Sequence, residues 1–361
     1  MIINEGFLIT YLQNYLSKKD VNNYNNEYIK NFPDKLYRFR KCNEDEFKSI
    51  ENNYIWICPA SDFEDITDST IKYSIDFQKK EIFNIYLDWL PYIVKKTYSK
   101  TKYGNVLSDI ETNKAIIEEY KRNIIGDDLS IDINKVRGLL IRNGANKVKA
   151  DQFIDIINKL VTSEAVEKKA DEIIDNFRCT MEKIRNSYYV TCFTETYENN
   201  NLWQTYAGKY SGFCIEYDFN LEVKEKAKDI LFNIAPMFYG EKKAINFIDL
   251  FKLAKSKYCG EVIDKKRIDE LNLTMHLHSR TKDKTYDIEK EWRLYQEKAK
   301  VQKQEYYFPY ISRIILGKNM EESNKLIIVD LAKKNNFKVF QQEFHFFTSS
   351  FSYKQIYLEN N

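Results

Sequence analysis

Polar and apolar positions change rhythm twice along this chain. Near both ends they alternate with a period of two, which puts successive side chains on opposite faces of a strand. In the middle the apolar positions recur every three or four residues, the spacing of an amphipathic helix. Leu36-Tyr37-Arg38-Phe39-Arg40 predicts an early strand, and Asn43-Glu44-Asp45-Glu46 has the capping-box form that opens a helix to about Asn52. Phe7 to Lys18 has helical spacing. Tyr54 to Cys58 predicts a buried strand that Pro59 ends, and an acidic loop, Asp62 to Asp68, follows. From Phe77 to Asn186 helices dominate, roughly four to six of them, with Ser163 to Arg185 the longest. Strands resume at Tyr188 to Phe193. A short helix is expected over Leu202 to Tyr210, strands at Gly212 to Tyr217 and Ile230 to Tyr239, and a long helix from Glu241 to His278. Asp287 to Leu294, Glu305 to Tyr310 and Ile311 to Leu316 predict further strands. Glu321 to Lys334 predicts a helix, and Phe337 to Gln341 with the aromatic run Phe344 to Leu358 closes the chain.

These rhythms predict an α+β fold in a single domain, 1–361. Its β-rich segments, 30–74 and 187–361, flank a helical insertion at 75–186. Glycine (10) and proline (5) are scarce, so no flexible linker brackets the insertion. The same scarcity excludes collagen-like repeats and argues against an all-β sandwich with its many tight turns. A net charge of +2 offers no global field toward nucleic acid or anionic membrane, although local patches remain open. The six cysteines, Cys42, Cys58, Cys179, Cys192, Cys214 and Cys259, have no C-x-x-C spacing, which predicts reduced thiols in a cytoplasmic protein. No apolar run is long enough for a membrane span, and the first residues lack a secretory pattern.

Asp287-Ile288-Glu289-Lys290-Glu291-Trp292-Arg293-Leu294 is the densest candidate for chemistry. As a strand it puts Glu289, Glu291 and Arg293 on one face and buries Ile288, Trp292 and Leu294 on the other. Two carboxylates beside a guanidinium suit a sugar or phosphate, yet the spacing fits a charged surface strand as well. Arg38 and Arg40 alternate similarly, either as solvated charges or as forked donors to an anion. The acidic loop lacks the glycine and spacing of a calcium loop and reads as a solvated turn or cap. His276 and His278 sit two apart on an expected helix and do not face each other, so no metal site is expected. Gly208-Lys209 and Gly317-Lys318 lack the glycine spacing of a phosphate-binding loop.

Four islands, taken in order, resemble a widespread bacterial family known mainly as a domain of unknown function. They are Leu36 to Arg40; Ile55-Trp56-Ile57-Cys58-Pro59 with Phe63; Thr191-Cys192-Phe193-Thr194-Glu195 with Leu202-Trp203-Gln204-Thr205-Tyr206-Ala207; and Glu289-Lys290-Glu291-Trp292-Arg293. Ser312 to Gly317 is similar to that family's I-x-x-I-x-x-G strand. The Cys192-Phe193-Thr194-Glu195, Gly212 to Asp218 and Glu289 to Arg293 islands further resemble the DarT-type ADP-ribosyltransferase toxins, which modify DNA, and certain abortive-infection proteins.

That resemblance implies a mostly antiparallel, split β-sheet core of the ADP-ribosyltransferase kind, two small sheets forming a cleft for NAD. It implies that Glu291 faces the positive charge that builds on the ribose as the nicotinamide bond breaks, with Glu289 positioning the acceptor or supporting it. Arg38 or Arg40 would grip the pyrophosphate or adjacent ribose. Phe193 or Tyr206 would stack on the nicotinamide, Thr194 would offer a hydroxyl, and Arg293 would orient Glu289 or Glu291. The implied protein consumes NAD as a toxin or phage-defence effector, acts on a nucleic-acid or protein acceptor, and meets an antitoxin or defence partner. The alternatives are a non-catalytic nucleotide-binding or sensor module on the same fold, and a metal-dependent nuclease that rests on the acidic residues alone. At Phe63 to Asp68 the chain lacks the Asn and Pro of the family's pattern, so the resemblance gives that loop no firm role.

Overall fold

The computed structural model describes residues 21–63, 68–74, 163–249, 265–297 and 304–357, with 133–142 and a few shorter stretches besides. The chain divides into two compact units. One comprises Met1–Thr70, Lys183–Lys242 and Asn272–Asn361, the other Ile71–Glu182 and Lys243–Leu271. The second unit thus covers nearly all of the segment expected as an insertion and takes in 243–271 as well. Its described part holds the helix Ile133–Arg142, nearly all of the helix Ser163–Arg185, and a short parallel pair, Tyr73–Ser74 with Ile245–Asn246. Phe177, on the Ser163–Arg185 helix, packs edge-on against both Tyr73 and Phe247.

The first unit is built on one sheet, nine-stranded among the described residues. In chain order the strands are β1 (Lys35–Arg40), β2 (Cys58–Pro59), β3 (Tyr188–Thr194), β4 (Phe213–Asp218), β5 (Ile234–Pro236), β6 (Glu291–Glu297), β7 (Ile311–Leu316), β8 (Lys338–His345) and β9 (Ser350–Tyr357). Across the sheet they run β9-β8-β7-β4-β1-β3-β6-β5, with β2 also pairing with β3. Every pair is antiparallel except β7 and β8, which the helix Glu322–Asn335 connects as a crossover. The class is therefore α+β. The split core implied by the resemblance is here one continuous sheet.

Register sorts the side chains onto two faces. Tyr37 stands opposite both Thr194 and Glu216, Thr194 opposite Glu291, and Glu216 opposite Arg313. One row, Arg313-Glu216-Tyr37-Thr194-Glu291, therefore crosses five strands on a single face. The alternate positions, Leu36, Phe193, Ile215, Trp292 and Ile314, point into the main core. Helices that cover that core include α1 (Val21–Asn31) with Phe32 just beyond it, α2 (Glu44–Glu51) through Ile50, and α4 (Glu322–Asn335) through Ile328 and Leu331. Each such side chain contributes about 1.5–3 kcal/mol by leaving water. A smaller cluster lies on the row's own face, where α3 (Asn200–Thr205) sets Leu202 and Trp203 against Phe39, Cys214 and Ile315.

Several expected elements change shape. Asn43 does cap α2, accepting the Glu46 N–H at 2.8 Å. Tyr54 to Cys58, however, is two strands: Tyr54–Trp56 pairs with Glu305–Tyr307, while Pro59 itself pairs with Tyr189 in the main sheet. The segment Ile230 to Tyr239 begins in a helical turn, Lys228–Leu231, before β5 and Phe238–Tyr239. The long helix expected from Glu241 starts instead with the strand Ile245–Asn246, whose Ile245 N–H donates to Lys72 O at 3.0 Å; the described helix is Lys265–His278. Most of 7–18, much of 77–162 and most of 250–264 lie outside the described residues. So does Cys259; the other five cysteines are free thiols.

Two glycines mark a close approach of backbones. Gly212 leads into β4, Gly317 follows β7, and the Gly317 N–H donates to Gly212 O at 2.9 Å. A Cβ on Gly317 would stand 2.2 Å from the Tyr210 carbonyl oxygen, so the β4 and β7 ends must part to admit it. Gly317→Ala is expected to lower stability by about 3 kcal/mol. The measurement is a lower urea midpoint at unchanged slope.

Candidate functional site

The strand expected over Asp287 to Leu294 begins only at Glu291. Asp283 accepts the Thr285 N–H at 2.9 Å and opens a 3-10 turn, Lys284–Glu289, and Lys290 then adopts a left-handed conformation with φ 43°. Glu289 thereby leaves the strand's alternation and reaches the site from a turn. Ile288, expected to be buried, is 55% exposed, whereas Trp292 and Leu294 are buried. Side chains pin the turn in place. The Thr194 hydroxyl donates to Glu289 O at 2.7 Å, and the Asn199 amide donates to Ile288 O at 2.7 Å. The Trp292 indole donates to Glu195 Oε1 at 2.8 Å.

Arg293, 0% exposed, ties two carboxylates together. Its Nε donates to Glu291 Oε1 at 2.6 Å; Nη1 donates to Asp68 Oδ1 at 2.7 Å and Ser69 Oγ at 2.9 Å; Nη2 donates to Asp68 Oδ2 at 2.6 Å. Lys282 Nζ lies 2.6 Å from Glu291 Oε2, 3.0 Å from Glu289 Oε2 and 3.9 Å from Asp68 Oδ2. The Tyr239 hydroxyl accepts the Glu291 N–H at 2.6 Å. Three carboxylates against two cations leave one negative charge in excess. Glu291 Oε2 is buried with Lys282 Nζ at 2.6 Å, a close charge pair outside ideal hydrogen-bond alignment, and the Cys192 thiol lies within donating reach of the same carboxylate.

Burial pushes the Glu291 carboxyl up, but Arg293 and Lys282 outweigh it and hold the group below the usual carboxylate range. Asp68 follows the same pattern, with the bidentate Arg293 overcoming burial. Both are ionised at neutral pH. Burial first, then the Glu291 charge, pushes the Cys192 thiol well up, so it is no nucleophile here. Burial and then Glu289 push the Tyr206 phenol to about 12. Ser69 (φ 57°) and Lys290 (φ 43°), next to Asp68 and Glu291, hold left-handed conformations without being glycine. Asn53, Lys209, Tyr210, Asn336 and Ser349 do the same elsewhere, so these conformations shape the turns without singling out the site.

Some expected site residues do not arrive. Tyr37 shares the row with Glu291, so alternation sends Arg38 and Arg40 to the opposite face. There Arg38 Nη2 donates to Trp56 O at 3.1 Å, and Arg40 Nε lies 3.3 Å from Glu46 Oε1. Phe193 is in the main core, edge-on to Tyr217 at 5.5 Å, and has no ring face to offer a ligand. Arg293 has no exposed surface and holds carboxylates rather than a cofactor. The Thr194 hydroxyl is engaged by the Glu289 carbonyl. Tyr206 is 47% exposed and close enough to Glu289 and Lys282 to feel their charge, and Tyr286, 41% exposed, has its ring centre 5.2 Å from Lys282 Nζ. Asp68 and Lys282 were not legible in advance. Asp68, expected in a solvated loop, is 5% exposed, and nothing in its spacing separates it from Asp62 or Asp65.

The far end of the row repeats the chemistry. Glu216, 1% exposed, accepts Lys35 Nζ at 2.9 Å and Ser312 Oγ at 2.9 Å on Oε1, and Arg313 Nε at 2.6 Å on Oε2. The Arg313 guanidinium lies 5.0 Å from the Tyr197 ring centre and 5.3 Å from that of Phe340.

The model of a family described as proteins of unknown function (DUF2971) matches residues 202–294. That span includes Lys282, Glu289, Glu291 and Arg293; Asp68, Thr194 and Arg313 lie outside it. No curated protein and no solved structure matches the chain at a significant level. Among the described residues, no helix is long and apolar enough to cross a membrane, and no group of three or more His, Cys, Asp or Glu is placed to hold a metal ion.

Proposed function

We propose that the Glu291 end of this row carries an NAD-consuming ADP-ribosyl transfer. The observation that supports it is Glu291 itself, a buried, ionised carboxylate clamped by Arg293 on one oxygen and paired with Lys282 at 2.6 Å on the other. Breaking the nicotinamide–ribose bond builds positive charge at the anomeric carbon. A carboxylate already fixed in a water-poor site stabilises that charge without reorganising, and the lone pair of Oε2 not facing Lys282 can accept the ribose 2′-hydroxyl. Nicotinamide leaves with the bonding pair, the acceptor's nucleophile closes the new bond at the same carbon, and its proton passes to Glu289 or to water. Tyr206 supplies a half-exposed ring for the nicotinamide. The acceptor is a nucleic-acid or protein group, and a protein with this activity would act as a toxin or defence effector restrained by a partner.

The two cations around Glu291 favour a second reading, a nucleotide-binding or sensor module without turnover, because they neutralise the charge that transfer would use. One experiment separates the readings. The full chain is incubated with labelled NAD and, in turn, single-stranded DNA, RNA and protein, while free nicotinamide and acceptor label are measured. Release of nicotinamide is expected. A rise in melting temperature with NAD but no release selects the sensor module, and neither binding nor release with any acceptor removes both.

A further inference from the structure

The opposite face of the sheet carries a second charged cluster that the Glu291 end does not use. Arg38 and Arg40 project from β1 toward α2 and the Tyr54–Trp56 strand. Arg38 is 5% exposed and Glu46, on α2, is 8% exposed. Four buried polar atoms here have no hydrogen-bond partner among the described residues: Arg38 Nε, Arg40 Nε, Trp56 Nε1 and Glu46 Oε2. Arg40 Nε does lie 3.3 Å from Glu46 Oε1, but without hydrogen-bond alignment. Native interiors satisfy nearly all such atoms, so several in one cluster call for a ligand or ordered water. The choice at Glu46 points the same way. It holds the third position of α2, from which a capping-box glutamate turns back to the cap residue, yet its carboxylate goes to the arginines.

We infer that this cluster binds a phosphoryl group that retains one proton, as a phosphate monoester or free phosphate. The N–H donors of Arg38 Nε and Trp56 Nε1, with that of Arg40 Nε shared with Glu46 Oε1, suit the non-ester oxygens, and Glu46 Oε2 accepts the P–O–H. Apart from the exposed Asp45 and Glu305 at its rim, two guanidinium charges stand against one carboxylate and leave a single positive charge, which a phosphomonoester monoanion neutralises. Trp56 packs edge-on to Tyr54 at 5.2 Å, and Tyr54 lies close enough to Glu46 to feel its charge, so an aromatic wall flanks the group. This site lies on the other face from Glu291 and stands whether or not NAD is consumed.

Sulfate provides the test, because at neutral pH it has the shape of phosphate but no proton to give Glu46. The full chain is titrated calorimetrically at matched ionic strength with inorganic phosphate, sulfate and phenyl phosphate. Phosphate is expected to bind about 10-fold or more tightly than sulfate, since sulfate sets an anion against the Glu46 carboxylate. Glu46→Gln replaces that acceptor with an amide donor and should shift the preference toward sulfate. Trp56→Phe, at a partly exposed position that keeps its ring, should weaken phosphate about 10-fold and serves even where the Glu46 variant does not fold. Phenyl phosphate tighter than phosphate assigns an ester, and weaker assigns the free ion. Equal affinity for phosphate and sulfate, phosphate affinity unchanged in Trp56→Phe, or no binding at all overturns the inference and leaves the four atoms to water.

Discussion

Arg293→Met will lower stability by about 3–5 kcal/mol and reverse the part of its pH dependence that Asp68 supplies. The side chain is completely buried and bonded to both Asp68 oxygens and to Glu291 Oε1. Without it, two buried carboxylates keep only Lys282, which stands 3.9 Å from the Asp68 oxygen. In the native protein both acids titrate below their unfolded values, burial notwithstanding, because Arg293 and Lys282 hold them down. Their contribution is therefore complete above the unfolded values, about 3.9 and 4.3, and is lost as pH falls through the folded ones. Native stability should rise with pH across roughly pH 3 to 5. In the variant Lys282, 2.6 Å from Glu291 Oε2, still holds that carboxylate down, but burial of Asp68 loses its main offset. The Asp68 folded value then rises above the unfolded one, and its part of the stability should fall as pH rises from about 4 to 7. Urea midpoints across that range decide it, and parallel native and variant curves would refute the account. Arg293→Lys should fall between them, since an ammonium keeps the charge but not the forked bridge.

The importance of this residue was legible only in part, and the limit is physical. Ser163–Arg185 and Glu322–Asn335 could be placed almost to the residue, because helix period and chain punctuation are local signals. Alternation also announced that Trp292 and Leu294 face one way and Glu291 and Arg293 the other. It did not say which face of β1 meets Glu291. That depends on the pairing of Tyr37 with Thr194 and of Thr194 with Glu291, contacts between distant segments that no short window contains. A one-residue difference in register would have brought Arg38 and Arg40 to the row instead. Asp68 was harder still, lying 225 residues from the arginine that gives it meaning. Glu289 failed for a local reason: Asp283 and Thr285 begin a turn where period-two reading continued a strand.

The two buried carboxylates of the row act as controls for one another. Glu216 and Glu291 each pair with one arginine and one lysine, and both are held down against burial. They differ in how their oxygens are filled. Both Glu216 oxygens accept hydrogen bonds, from Lys35, Ser312 and Arg313. Glu216 Oε1 thus accepts two donors, whereas Glu291 Oε2 faces the Lys282 ammonium at 2.6 Å and keeps a lone pair that a substrate hydroxyl could take.

Glu291→Gln is accordingly expected to reduce nicotinamide release by about 10³-fold. The amide keeps the shape and can still accept from Arg293 Nε, while Lys282 retains Glu289 at 3.0 Å, so the fold should survive the change. Glu216→Gln should do the reverse, lowering the melting temperature while leaving release per folded molecule within about twofold of native. Glu289→Gln completes the set. If Glu289 positions the acceptor, that variant should still release nicotinamide to water while transfer of label falls, a split that a loss of folding could not produce. Should Glu291→Gln release nicotinamide at the native rate, the charge on Glu291 has no part in breaking the bond. The cluster of Asp68, Lys282, Glu291 and Arg293 would then be a buried ion-pair network holding the edge of the sheet.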